Sequence, residues 1–173
     1  MNNILTIDTS SANCAVALMQ GDVLLERVSE QQRQSAQRVL PMISELLLDA
    51  EIQLSDIDLI AVVAGPGSFT GVRIGVAVAQ GLSLSAAIPA VPLSSLALSA
   101  MAAVSQGSFD RVLVSDEARE GELYFAAYQC SQRLGVELVG REQVALIENI
   151  DALPEDLAGS SWCLAGSGGE RQS

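Results

Sequence analysis

The chain has 173 residues, and its 9 Lys plus Arg stand against 21 Asp plus Glu with no histidine, a formal charge of −12. The missing imidazole excludes a Ser-His-Asp triad, a Cys-His pair, a His-ligated zinc and a histidine general base, so any catalysis would fall to Asp, Glu, Tyr, Ser or Cys. The charge repels phosphate backbones and makes the isolated chain a poor binder of tRNA or DNA.

A chain of this length buries roughly 70% of its unfolded surface, enough for one compact domain or two small lobes. With 49% apolar residues it is not a disordered composition. Cys14, Cys130 and Cys163 are odd in number, widely spaced and outside any CxxC, which reads as buried reduced thiols and a cytoplasmic setting. The start, MNNILTIDTSS, has a short apolar run, no preceding basic residue and Asp8 inside it, so it does not read as a signal peptide. The long uncharged stretch around Arg73 is broken by Gly65, Pro66, Gly67, Gly71, Gly75, Gly81, Pro89 and Pro92, which favours buried core over a membrane span.

In chain order, Ile4 to Asp8, Cys14 to Met19 and Asp22 to Ser29 are short β-rich runs with tight connections, an antiparallel meander. Val39, Leu40, Ile43, Leu46, Leu47 and Ala50 recur at helical spacing. Pro41 either opens that helix near Leu40 or lies inside a helix that begins near Ser35. Leu59 to Ala64 is apolar without alternation, as expected of a strand covered on both faces. Val72 to Ala87 then reads as a helix of small residues, Ile88 to Pro92 as a strand and Leu93 to Val104 as a helix. This order, βββαβαβα, places an N-terminal lobe over 1–105. A second lobe over 106–173 carries strand-like runs at Val112 to Ser115, Leu123 to Cys130, Val136 to Val139 and Trp162 to Ala165. No internal repeat is visible in the letters.

The most pronounced local motif is GPGSFTGVR at positions 65 to 73. Backbone N–H groups at a helix start can face an anion, and Arg73 adds a cation. The spacing is GxGxxxG, which is neither a dinucleotide fingerprint nor a Walker A loop. From spacing alone, tight turning and close packing by Gly65, Gly67 and Gly71 come ahead of anion binding. Asp8, Thr9, Ser10 and Ser11 end the first strand, where they could hold hydrated magnesium or contact phosphate, or equally form a turn that satisfies its own backbone. Ser167 lies in Ala165-Gly166-Ser167-Gly168-Gly169, which lacks the first glycine of a nucleophile elbow. Asp116, Glu117, Arg119, Glu120 and Glu122 read as a solvated charged turn before an acid-base cluster.

The segments ILTIDTS, LPMI in the first helix, GPGSFTGVRIG and DEAREGELYFAAY together resemble the TsaB (YeaZ) family, dimerisation subunits of the tRNA adenosine threonylcarbamoyltransferase complex. The likeness runs in order over nearly all of positions 3 to 169. It implies an α/β, actin-like (hexokinase-type, ribonuclease H-like) fold of two lobes with mixed sheets, the second lobe C-terminally truncated, since family members usually run further. It implies a non-catalytic scaffold with no catalytic residue and no metal site of its own. The partner would be the catalytic paralogue TsaD, with the ATPase TsaE joining at the heterodimer, a TsaC-type enzyme making the donor, and a homodimer when the chain is alone. ATP or ADP would enter only at the complex interface. The contact it implies is a bundle of two helices from each partner, through Val39, Leu40, Ile43, Leu46 and Leu47 on the first and Val72, Gly75, Val76, Ala79 and Gln80 on the second. The rival reading is an actin-like ATPase or sugar-type kinase that holds phosphate through Asp8, Thr9, Ser10, Gly65, Gly67, Ser68, Thr70, Gly71 and Arg73. A metallopeptidase is the least favoured, because the histidines are missing. The sequence departs from the family at Ser35, where many members have His, and at Asp116-Glu117-Ala118-Arg119, where Ile-Asp-Ala-Arg is usual.

Overall fold

The computed structural model describes residues 2–30, 35–119, 121–131, 135–146 and 161–168. Glu120, and the glycine-rich end from Gly169 onward, lie outside the described residues. The chain divides into two compact units, Met1–Ser95 and Leu96–Ser173.

In the first unit β1 (Asn3–Asp8), β2 (Cys14–Gln20) and β3 (Val23–Ser29) form the expected meander. β4 (Leu59–Val63) and β5 (Ala90–Leu93) add in parallel on the other side of β1, giving the order β3-β2-β1-β4-β5. Two helices, α1 (Ser35–Asp49) and α2 (Phe69–Ala86), pack on this sheet, α1 over β2 and β3 and α2 over β1, β4 and β5. Strand alternation sends Leu5, Ile7, Cys14, Val16, Leu18, Ile60 and Val62 toward them, where they meet Val39, Met42, Ile43 and Leu46 of α1. Burial pushes the Cys14 thiol above its ordinary pKa, with the Asp8 carboxylate adding to the effect.

Of the two starts open for α1, the structure takes the earlier one, and Pro41 lies inside the helix on its exposed side. α2 begins at Phe69, before the expected Val72, because the Ser68 hydroxyl accepts from Gly71 N at 3.3 Å and caps the helix there. It ends at Ala87 in the left-handed region (φ 54°).

The second unit begins within α3 (Ser95–Gln106), after its first residue, and continues with β6 (Arg111–Glu117), β7 (Glu122–Ser131), β8 (Gly135–Leu146) and β9 (Trp162–Ala165). α3 beyond Ser95 lies in this unit, with Leu96 and Ala100 buried with Val112, Val114, Ala126 and Tyr128. The sheet order is β8-β7-β6-β9, with β6, β7 and β8 antiparallel and β9 parallel to β6. This repeats the β3-β2-β1-β4 connectivity of the first unit, a repeat invisible in the letters. Both units have the mixed-sheet α/β architecture of the actin-like class.

β6 and β9 are tied at their starts. The Asp110 carboxylate accepts from Ser161 N and Oγ, both at 2.9 Å. These bonds, the backbone one first, hold Asp110 below its ordinary pKa of 3.8. A depressed carboxylate pKa stabilises the fold fully above the unfolded value and loses that contribution as the pH falls through the folded value. The thermal midpoint of the wild type should thus drop below about pH 4 by more than that of Asp110→Asn. Parallel pH dependences of the two would contradict this.

Among the described residues no helix is long and apolar enough to cross a membrane.

Candidate functional site

The two sequence motifs singled out at the end of β1 and the start of α2 meet in space. β1 and β4 run parallel in register, Ile7 beside Val62, so the turn after β1 and the loop after β4 leave the same edge of the sheet. Within the turn, Asp8 Oδ1 accepts from Ser10 N at 2.8 Å and from Ser10 Oγ at 2.7 Å. Ser10 O accepts from Ser68 N at 2.7 Å, and the fully buried Thr9 hydroxyl donates to Gly71 O at 2.7 Å. Ser95, a residue the motif reading did not single out, closes the far side: its N–H donates to Gly65 O and its hydroxyl to Pro66 O at 2.6 Å.

The glycines at 67, 71 and 75 make this approach possible. A Cβ at Gly67 would strike Ser10 O, one at Gly71 would strike Thr9 O, and one at Gly75 would stand 2.5 Å from Thr9 Oγ1. Gly71 and Gly75 stand four apart on one face of α2, while Gly67 lies in the loop before the Ser68 cap, and the four-residue spacing of the helical pair is the signal in the letters. Gly65 (φ 110°) and Gly67 (φ 157°) also favour glycine through their own backbone conformation.

Chemically, then, the donors and acceptors proposed for phosphate are engaged with one another. Asp8 holds Ser10, Thr9 holds Gly71, and Ser68 caps α2. Arg73 lies over the Phe69 ring, its guanidinium carbon 3.7 Å from the centroid, on the exposed side of α2. Thr70 is exposed beside them.

The second unit has a similar junction. Gly166 and Gly168 abut the backbone of Ser115. Ser167 donates through N and Oγ to Asp116 Oδ1, at 2.9 and 3.2 Å, and its Oγ accepts from Glu117 N at 3.2 Å. Ser167 thus joins strand ends through the Asp116 carboxylate. Asp116 and Glu117 belong to β6 and Glu122 to β7, so three members of the charged cluster lie in strands. No group of three or more His, Cys, Asp or Glu with metal-binding geometry occurs among the described residues.

The residues assigned to a helical interface divide sharply. Val39, Ile43, Leu46, Gly75 and Ala79 are buried in the first unit's own core. Leu47, Val72 and Val76 are half-buried, and Leu40 and Gln80 are exposed. Beside Leu40, the outward faces of the helices carry Ser44 and Leu48 on α1, and Phe69, Arg73, Ala77 and Leu84 on α2. Leu84 is 88% exposed, Leu48 77% and Phe69 66%.

A family model described as TsaD, tRNA N6-adenosine threonylcarbamoyltransferase, matches residues 22–164. The TsaB protein of Escherichia coli K12, named for tRNA threonylcarbamoyladenosine biosynthesis, is 38% identical over 167 residues, 95% of this chain and 71% of that protein. Its Haemophilus influenzae counterpart is 39% identical over 71% of this chain and 52% of its own length, so the chain spans only about half of that relative. A solved YeaZ structure from Pseudomonas aeruginosa superposes with a TM-score of 0.86 at 39% identity, over 97% of this chain and 77% of that one. The chain belongs to the TsaB (YeaZ) family of tRNA threonylcarbamoyladenosine biosynthesis proteins.

Proposed function

We propose that the chain acts in tRNA threonylcarbamoyladenosine biosynthesis as a non-catalytic subunit that binds and orders a TsaD-type catalytic paralogue in the cytoplasm, with a TsaE-type ATPase joining the pair. The observation that carries this reading is the apolar stripe on the outer faces of α1 and α2, where Leu40, Leu48, Phe69 and Leu84 point away from the sheet that the same helices cover. Burying each large side chain contributes about 1.5–3 kcal/mol before association costs, enough for a four-helix contact with a partner or a second copy. Its self-engaged glycine junctions support a structural part for the motifs, with chemistry left to the partner.

The test is co-purification of the chain with TsaD, and adenosine modification by the reconstituted complex, for the Leu48→Asp, Leu84→Asp double variant. Both sites are exposed, so melting should match the wild type while affinity falls by roughly a hundredfold. Unchanged co-purification and activity would overturn the proposal. The rival ATPase reading predicts heat on titrating ATP and magnesium into the isolated chain, where the scaffold reading predicts none.

A further inference from the structure

Each sheet edge leaves every second backbone N–H and C=O without a strand partner, and proteins ordinarily blunt such edges. Among the described residues, three of the four sheet edges are blunted. β5 and β9 are four residues long, and β5 contains Pro92, which has no N–H. β8 is interrupted where its pairing with β7 shifts register between Phe125 and Ala127, near Gly140 (φ 81°). β3 differs: seven consecutive residues, Val23 to Ser29, pair with β2 without a break.

The side chains of β3 sort by face. Arg27 points to α1, where it pairs with Asp49 and lies 3.7 Å from Glu45, so the edge is fastened to the helix. Leu24, Glu26 and Val28 point the opposite way, opposite Met19, Ala17 and Ala15 of β2. Leu24 is 63% and Val28 57% exposed, Glu26 stands exposed between them, and Asp22 and Glu30 are exposed just beyond the strand ends. The edge therefore presents acidic and apolar groups by turns on one face.

A second copy does not match it. Antiparallel self-pairing that keeps the faces aligned puts the two-fold on a residue. On Glu26 it opposes two carboxylates, on Arg27 two guanidiniums, and on Leu25 it sets Leu24 against Glu26. No segment of these 173 residues matches it either, since no two of their cationic residues stand four apart.

We propose that β3 is a docking edge for an extended segment of another polypeptide, one that carries basic and apolar residues by turns at every second position and adds antiparallel to β3. Main-chain hydrogen bonds would supply the attachment, a basic residue opposite Glu26 the selection, and apolar residues opposite Leu24 and Val28 the contact.

The test uses a capped peptide with lysine and valine alternating at every second position and threonine between, with controls carrying glutamate for lysine or N-methyl groups on the docking edge. The lysine peptide should slow amide exchange across Val23–Ser29, and Glu26→Lys should weaken its binding roughly tenfold and favour the glutamate peptide. Equal binding of all three peptides, protection confined to other elements, or concentration-dependent protection of β3 in the chain alone, the mark of a second copy, would each overturn the proposal. Native mass of Glu26→Lys reports separately on the α1 and α2 face, which this substitution does not touch.

Discussion

Replacing Gly71 by alanine is expected to lower the unfolding free energy by roughly 3 kcal/mol, whereas the same replacement at Gly81, ten residues on in the same helix, is expected to raise it by about 0.5–1 kcal/mol. Helix propensity favours alanine at both positions, so the sign is decided by what the new methyl meets. At Gly81 nothing lies within 4 Å. At Gly71 the methyl would strike the backbone oxygen of Thr9, which cannot rotate away as a side-chain tip could. Relief requires α2 to lift off the turn after β1, and that lengthens both the Thr9 Oγ1 to Gly71 O and the Ser68 N to Ser10 O hydrogen bonds. Gly75→Ala should fall between the two, because its nearest neighbour is a hydroxyl, Thr9 Oγ1, free to turn if it gives up its bond to Gly71 O. Urea unfolding of the three variants, followed by circular dichroism, orders them directly. A Gly71→Ala midpoint at or above that of the wild type would show that the junction yields at little cost.

The same junction shows which features were legible in the letters. Hydrophobic period and turn residues located most of the elements of both units, because those signals are local. Type was clear, and ends slipped by a few residues where a single cap decided them, as Ser68 does for α2. The letters show the glycine loop and the Asp8 turn as separate motifs, and their joint purpose depends on distances across 62 residues of sequence, such as Thr9 to Gly71. Spacing alone leaves anion cradle and tight packing as alternatives; an oxygen standing where a Cβ would be favours the second. The division between units rests on contacts of the same long-range kind. Leu93 to Val104 reads as one more helix of the first lobe, and only the burial of Leu96 and Ala100 with Val112 and Val114 assigns α3 elsewhere. The repeated strand order of the two sheets left no trace in the letters, since topology constrains apolar alternation and not residue identity.

The interface residues carry the sharpest consequence, because one apolar stripe on a helix can serve a core or a partner. Ile43 is 3% exposed and lies among Leu5, Val16, Val39 and Leu46, while Leu84 is 88% exposed. A carboxylate at position 43 would be buried without a partner in an apolar cluster, at a cost of roughly 3–5 kcal/mol, a large part of the 5–15 kcal/mol that holds a typical domain folded. Ile43→Asp should therefore lose or broaden the cooperative melting of the first unit, and any loss of partner binding would follow from loss of fold. Leu84→Asp places the same charge in water, where surface substitutions shift stability by only about 0.5 kcal/mol, and should melt as the wild type does. Melting measured before binding separates the two cases: a folded chain that no longer associates implicates the outer face, and an unfolded one says nothing of it. Wild-type melting of Ile43→Asp would mean that α1 turns a different face to the sheet, and the outer stripe of Leu40, Leu48 and Leu84 would then lose its standing as the docking surface.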